Sequence, residues 1–368
     1  MSGTSLDGLD IAFCTFEYDD DKKDRGLTEC NNDSVCNKIN NYTSLNLEQN
    51  IKYRIEKATT IPYDKELKDK ITACENCSGE YLAEFSAYLG HFFGKEAKKF
   101  LTENNLAVDF IASHGQTVFH QPDKLFTLQI GDINSIAAES ECTVIGDFRS
   151  LDVALGGQGA PLVPVGDKIL FKQYPYCLNI GGFSNISFDE GKKRTAYDIC
   201  PANIVLNHLC RFINLPYDDG GKIAEHSEIN EDLLRDLNDI PYYVNKERQS
   251  LGKEWVEKFV FPILNSYSIS YQSKIATYTE HIATEIAEHI NGDCLVTGGG
   301  AYNTFLINRI GKQTNYKIII PDNLTIQYKE ALIFAFLGLR RLRNEINCLR
   351  SVTGAKKDSC SGAVVYYK

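Results

Sequence analysis

Alternating and helical stretches of apolar residues divide the chain into a strand-rich first half and a mixed second half. Leu9-Asp10-Ile11-Ala12-Phe13-Cys14-Thr15-Phe16 alternates and predicts a strand. Residues 17–60 are polar and charged, a solvated loop or hairpin, with Asn50–Ala58 as a further strand or short helix. Residues 64–74 and 79–105 carry helical spacing, and Leu82, Phe85, Leu89, Phe92 and Phe93 share one face of the second. Short strands are predicted at Val108–Ala112, Phe126–Ile130 and Thr143–Ile145, with a helix at Ile133–Ser140. Such alternation predicts an α/β fold with functional loops at strand ends.

Residues 146–166 break the pattern. They are rich in Gly and Pro, and a long irregular stretch inside a compact protein marks a functional loop or linker. This stretch is expected to be the crossover between two domains. Beyond it, Cys177–Phe188 repeats the opening logic, small residues in a turn followed by an alternating strand. Residues 202–213 and 270–290 have helical periodicity, Asp293–Thr297 is a strand running into Gly298-Gly299-Gly300, Tyr316–Ile320 is a strand, and Lys329–Glu345 closes the chain as a helix.

The length of 368 residues favours two domains. A net charge of −10 argues against a nucleic-acid groove or an anionic membrane surface, though not against one nucleotide. No apolar run is long enough to span a membrane, and no basic segment with an apolar core opens the chain, so a signal peptide is not expected. The 12 cysteines are scattered and read as reduced thiols of a cytoplasmic protein. Cys74 and Cys77 form an isolated CxxC without a second pair, too little for a zinc site.

The candidate chemistry lies in loops. Gly3, Thr4, Ser5, Leu6, Asp7, Gly8, Leu9 and Asp10 form a small, hydroxyl-rich turn ahead of a strand, able to wrap a phosphate with backbone amides, and Asp7 and Asp10 can hold a cation directly or through water. A plain hairpin turn is the competing reading. Gly181 and Gly182 lie in a similar turn about half a chain later, which suggests a duplicated domain whose two hairpins share one ligand. No GxxxxGK motif followed by Ser or Thr occurs, which excludes a P-loop. The turn at Gly298–Asn303 followed by Asp322 superficially resembles a dinucleotide fingerprint, but Asn303 stands where the third glycine belongs. Together these segments point to ATP between two related lobes.

The strings MSGTSLDG, SHGQT, IGD, GDFRSLDVALGGQGAPLVP, NIGGFSNIS, SLGKEW and TGGGAYN occur in the order found in the anhydro-N-acetylmuramic acid kinase family, and the chain resembles that family from residue 1 to about residue 365. The resemblance implies two ribonuclease H-like lobes of the actin-like ATPase type around a central cleft. The lobes are expected at residues 1–147 and 148–368, with the last helix packing back on the first. It implies ATP-dependent hydrolytic phosphorylation of 1,6-anhydro-N-acetylmuramate to N-acetylmuramate 6-phosphate, in peptidoglycan recycling and amino-sugar catabolism. Kinases of other anhydro sugars, such as levoglucosan, and a binding paralogue without turnover are the alternatives. By the same resemblance Asp152 is the general base, although by itself it reads as a loop cap or a partner of Arg149. Gly3 to Asp10 and Gly181–Gly182 become the two phosphate loops, with Asp7 holding Mg²⁺ through water, and Gly298, Gly299 and Gly300 the adenosine-side turn. His114, Gln116, Asp132 and Glu330 are candidates for the sugar, with helix capping an equal reading for Glu330. A homodimer is also implied.

Two departures from the family pattern stand out. Family members carry a short apolar strand ahead of MSGTSLDG, central in the first sheet; the sequence starts at the motif, which is expected to loosen the first phosphate loop, and truncation is the simplest explanation. Cys200-Pro201-Ala202-Asn203 replaces Gly-Pro-Gly-Asn, and Asn207 stands where Asp is common, while Asp198 and Asn203 are kept.

Overall fold

The computed structural model describes residues 1, 7–18, 50–246, 248 and 250–368. Gly3, Thr4, Ser5 and Leu6 of the first candidate loop, and the polar segment 19–49, lie outside the described residues. The chain divides into two units, Met1–Leu170 with Glu330–Lys368, and Phe171–Lys329.

In the first unit, β1 (Gly8–Tyr18) pairs antiparallel with β2 (Ile51–Pro62), so Asn50–Ala58 resolves as strand. A second sheet joins β3 (Ile111–Ala112) in parallel to β6 (Val144–Gly146), and β6 antiparallel to β12 (Ala363–Val365). Between them in sequence, β4 (Gln116–Gln121) and β5 (Phe126–Ile130) form a hairpin. The helix Gly79–Glu103 is capped by the Ser78 side chain, which accepts from Tyr81 N. Phe85, Leu89 and Phe93 carry its buried face, while Leu82 and Phe92 are half-buried at the flank. Gly90 and Gly94 let it approach the helix Ile133–Ser140 closely: a Cβ on Gly90 would lie 2.5 Å from Asp132 O. A cavity of about 500 Å³ separates β1 from the segment before and through β3; Leu9–Glu17 and Ala107–Ser113 line it, with Phe93, Phe100 and Phe334.

The second unit holds one five-stranded sheet in the order β11-β10-β7-β8-β9. Here β7 (Tyr176–Ile180), β8 (Phe183–Glu190) and β9 (Lys193–Pro201) form an antiparallel meander, and β10 (Cys294–Thr297) runs parallel to β7 and to β11 (Ile318–Ile319). The helix Tyr271–His289 buries Ile275, Tyr278, Ile282 and Ile286 in the core of this unit. An antiparallel hairpin followed by two parallel strands therefore appears in both units. In the second, β7 lies between hairpin and parallel pair; in the first, the cavity lies between β1 and β3.

Two sequence expectations change. The stretch 146–166 is not wholly irregular: Ser150–Ala154 forms a helical turn, and Val163 begins another helix. Glu330 does not open the last helix, which runs from Asn323 to Leu342 and is capped by Asp322 through Thr325 N at 3.0 Å and Thr325 Oγ1 at 2.8 Å. Apolar spacing starts at Ala331, but the cap lies upstream, so the capping reading of Glu330 falls. The same contacts occupy Asp322, the acidic residue of the dinucleotide resemblance.

Candidate active site

Asp152 sits in the helical turn Ser150–Ala154 and is 0% exposed. Its Oδ1 accepts from Thr353 Oγ1 at 2.8 Å and Cys348 Sγ at 3.0 Å. Its Oδ2 accepts from Gly159 N at 2.8 Å. These three donors are a hydroxyl, a thiol and a backbone amide, none positively charged. The turn that brings the Gly159 amide back takes left-handed backbone at Gly156 (φ +82°) and Gly159 (φ +66°), which glycine adopts at least cost. At Gly157 the requirement is space: a Cβ would stand 2.2 Å from Asp152 Oδ2.

Arg149 does not pair with Asp152 in an ion pair. Its NH1 donates to Gly159 O at 2.6 Å, and its Nε and NH2 donate to His114 Nε2 at 3.0 and 2.8 Å. A guanidinium has only donors, so His114 Nε2 accepts and the ring proton lies on Nδ1, 2.9 Å from Gly115 O. His114 is thus a buried neutral imidazole with both nitrogens engaged inside this unit. Burial lowers the pKa of Arg149, and the negative charge of Glu330 opposes that most.

Gln116 is buried on β4, where its Nε2 donates to Thr117 O at 3.3 Å. Asp132 caps the helix Ile133–Ser140, accepting from Ser135 N at 2.7 Å and Ser135 Oγ at 2.8 Å on one oxygen and Asn134 Nδ2 at 3.1 Å on the other. Burial raises its pKa, but these hydrogen bonds outweigh it and hold the carboxyl below its usual range. The Asp7 side chain is exposed, and Asp10 Oδ1 accepts from Thr60 Oγ1 at 2.6 Å. Gly8 must be glycine because a Cβ would meet Ile61 O at 2.3 Å, and Leu9 is a core residue at 5% exposure. Among the described residues no group of three or more His, Cys, Asp or Glu forms a metal cage. Mg²⁺ with a nucleotide needs only one or two carboxylates beside phosphate and water, which the exposed Asp7 suits.

In the second unit, Gly181 and Gly182 form the β7–β8 turn, and their carbonyls accept from Asn203 N at 3.1 Å, Ala202 N at 2.8 Å and Ile204 N at 3.2 Å. The start of the helix Asn203–Arg211 is thereby tied to the turn. Ala202 takes φ −121°, so this position does not call for glycine's left-handed freedom. The three glycines of the other turn differ. A Cβ on Gly298 would lie 2.6 Å from Asn179 Oδ1, and on Gly300 2.2 Å from Ile180 Cγ2, so both serve packing on β7. At Gly299 the nearest atom is Asn203 Nδ2 at 4.0 Å, and Gly181 and Gly182 are similarly uncrowded. Asp198 accepts from Leu251 N at 2.8 Å, and burial pushes its pKa up to about 6 against that bond.

The sequence reading missed Cys348 and Thr353. They lie far from Asp152 in sequence, outside any periodic pattern, and only tertiary folding brings them to it. The CxxC thiols donate to backbone carbonyls, Cys74 to Lys70 O and Cys77 to Cys74 O.

Residues 41–368 match the sequence model of the family described as anhydro-N-acetylmuramic acid kinase. The chain is 31% identical over 401 aligned residues to an anhydro-N-acetylmuramic acid kinase of Bacillus cereus strain Q1, covering 100% of this chain and 98% of that protein. It is 30% identical over 391 residues to one from Sulfurimonas denitrificans, covering 99% and 97%. Among solved structures, the activator of the 2-hydroxyisocaproyl-CoA dehydratase from Clostridium difficile with bound ADPNP matches at TM-score 0.33 and 16% identity, over 50% of this chain and 67% of that one.

Proposed function

The chain belongs to the anhydro-N-acetylmuramic acid kinase family, and on that premise we propose that Asp152 is the general base of an ATP-dependent hydrolytic phosphorylation. The activity is phosphorylation of 1,6-anhydro-N-acetylmuramate by ATP in peptidoglycan recycling. Water attacks the anomeric carbon, the bond from that carbon to the bridging O6 breaks, and O6 takes the γ-phosphoryl group while ADP leaves. Asp152 accepts the proton of the attacking water. The observation that carries this role is a fully buried carboxylate whose three hydrogen-bond donors among the described residues are all neutral. No cation cancels its charge through those bonds, so the charge remains available to the proton and to the cationic character at the anomeric carbon.

The remaining residues fall into two groups. Gly181, Gly182 and Gly299 expose backbone with little beside it and are assigned to the nucleotide, with Gly298 and Gly300 shaping the turn. Gly3 to Asp10 are assigned to the other phosphate contact, and Asp7 would hold Mg²⁺ through water, which would supply charge neutralisation to the phosphates. His114 and Gln116 shape the wall of the sugar site, His114 by holding Arg149, and Asp132 and Glu330 act at its margin. Each unit is assigned a ribonuclease H-like plan, and the strand order β11-β10-β7-β8-β9 of the second unit supports this. The enzyme works in the cytoplasm, as a dimer.

The test is a coupled ADP-release assay with 1,6-anhydro-N-acetylmuramate and with levoglucosan. Turnover is expected with the first sugar; turnover only with levoglucosan reassigns the substrate. Asp152→Asn is expected to bind ATP normally and lose ~10²–10⁴ in kcat. Near-normal turnover by that variant removes Asp152 as the base.

A further inference from the structure

The C-terminal segment from Asn347 to Ser361 reaches Asp152 by an unusually well-determined route. Asn347 is 2% exposed and fully used: its Nδ2 donates to Leu337 O at 3.0 Å and Ser361 O at 2.9 Å, and its Oδ1 accepts from Ser361 N at 2.7 Å. The next residue, Cys348, exchanges backbone hydrogen bonds with Ser359 at 3.1 and 3.0 Å. Thr353 closes the single helical turn Arg350–Thr353, and its carbonyl accepts from Gln158 N at 2.8 Å, which ties it to the glycine turn after Asp152. Both side chains that reach Asp152 Oδ1 thus come from backbone pinned on each side.

We infer that Cys348 is a positioning residue for the reaction: with Thr353 it fixes Asp152 Oδ1, leaving Oδ2 as the oxygen that takes the proton. This rests on the reading of Asp152 as the base. A carboxylate offers about four lone-pair sites, two per oxygen. The Cys348 thiol and the Thr353 hydroxyl use both on Oδ1, whereas among the described residues Oδ2 holds only the Gly159 amide. Without the thiol, Oδ1 keeps only the Thr353 hydroxyl and has a lone pair open to compete with Oδ2 for the proton. The thiol is a dependable donor. Burial, then the hydrogen bond and charge of Asp152, push its pKa up, so it stays protonated throughout the working range. A buried thiol of this kind is not a nucleophile; its function lies in the proton it holds towards the carboxylate.

The test is a set of variants of the full-length enzyme measured for kcat, KM for ATP and thermal midpoint. Cys348→Ala, and Cys348→Val in case the smaller side chain fails to fold, are expected to lose about tenfold in kcat, the loss associated with one hydrogen bond to a charged group, with KM for ATP unchanged. Cys348→Ser keeps a donor and is expected to recover most of that loss. The deciding measurement is the cycle with Asp152→Asn. If Cys348 works through Asp152, Cys348→Ala has no further effect on kcat in the Asp152→Asn background. Wild-type kcat in both Cys348→Ala and Cys348→Val, or the same ~tenfold drop in the Asp152→Asn background, overturns the inference while leaving the base in place. Near-normal turnover by Asp152→Asn alone overturns the base assignment, and this inference with it.

Discussion

Gly157→Ala asks whether the seat of Asp152 matters. The backbone of Gly157 does not take a left-handed φ, so alanine is conformationally allowed and the perturbation is one of space. The added Cβ would stand 2.2 Å from Asp152 Oδ2 and 2.8 Å from Ala355 Cβ, where ordinary contact begins at 3.4 Å. The carboxylate must therefore retreat by about 1.2 Å, since Ala355 blocks the turn from moving the other way. A retreat of that size opens the 2.8 Å bond from Gly159 N to Oδ2 beyond hydrogen-bond reach. Losing a hydrogen bond to a charged group costs about 1.5–3 kcal/mol, and misplacing a catalytic group by an ångström costs about a hundredfold in rate. The expectation is a kcat reduced ~100-fold, KM for ATP unchanged, and a thermal midpoint lowered by roughly 4–8 °C. Gly156→Ala is the control. Its φ of +82° makes alanine strained, at about 1–2 kcal/mol, but its Cβ meets nothing within 4 Å, so stability falls while kcat holds. The assay is steady-state ADP release beside a melting curve. A Gly157→Ala enzyme with kcat within ~threefold of the parent, or a Gly156→Ala enzyme as impaired as Gly157→Ala, would refute the reasoning.

Two further perturbations separate stability from chemistry. Glu285 is 6% exposed, and burial, reinforced by Glu288 and opposed by Lys246, pushes its pKa from 4.5 up to about 8. The folded state then holds a proton the unfolded chain releases, so this residue's contribution to stability is present below pH 4.5 and lost as pH rises through about 8. Glu285→Gln should gain in melting temperature on the parent as pH is raised through that window, and a pH-independent difference between the two would contradict it. Gly300→Ala should destabilise the second unit by ~1–3 kcal/mol through its clash with Ile180, whereas Gly299→Ala should keep the parent's melting temperature and raise KM for ATP ~tenfold. Equal KM values for Gly299→Ala and the parent would remove Gly299 from the nucleotide site.

The chain's periodicities and loops exposed a good deal. The alternation of Leu9–Phe16, the face carrying Phe85, Leu89 and Phe93, and the repetition of small-residue turns before alternating strands are local signals. The helical face survives because burial on one side of the helix imposes it directly, and Leu9–Phe16 survives as a strand by pairing with β2 along its length, with Asp10–Phe16 half-buried on both faces. Asn50–Ala58 reads as a strand or a short helix because only Ile51, Tyr53 and Ile55 mark its period, and pairing with β1 decides for the strand Ile51–Pro62. The site was legible only as a set of motifs. Gly298–Gly300 reads as a single unit in sequence, yet two of its glycines answer to the packing of β7 and one faces open space. His114 reads as a candidate for the sugar and Arg149 as a partner of Asp152, and their mutual hydrogen bonds, which set the tautomer of the imidazole, exist only once the segment between β3 and β4 meets the turn before Ser150.

What the sequence by itself determined is the family, the order of the elements and the residues able to do chemistry, because these follow from residue type, spacing and a long specific string of motifs. What only the tertiary structure decided is the state of those residues. Asp152 could have been only a loop cap or half of an ion pair with Arg149, both of them local arrangements. It does cap its turn through the Gly159 amide, but Arg149 turns to His114, and two donors about 200 residues further along the chain, at separations of 196 and 201, take its other oxygen. No local pattern encodes such contacts, since the hydrogen bonding and burial that set a carboxylate's reactivity belong to whatever the folded chain packs against it.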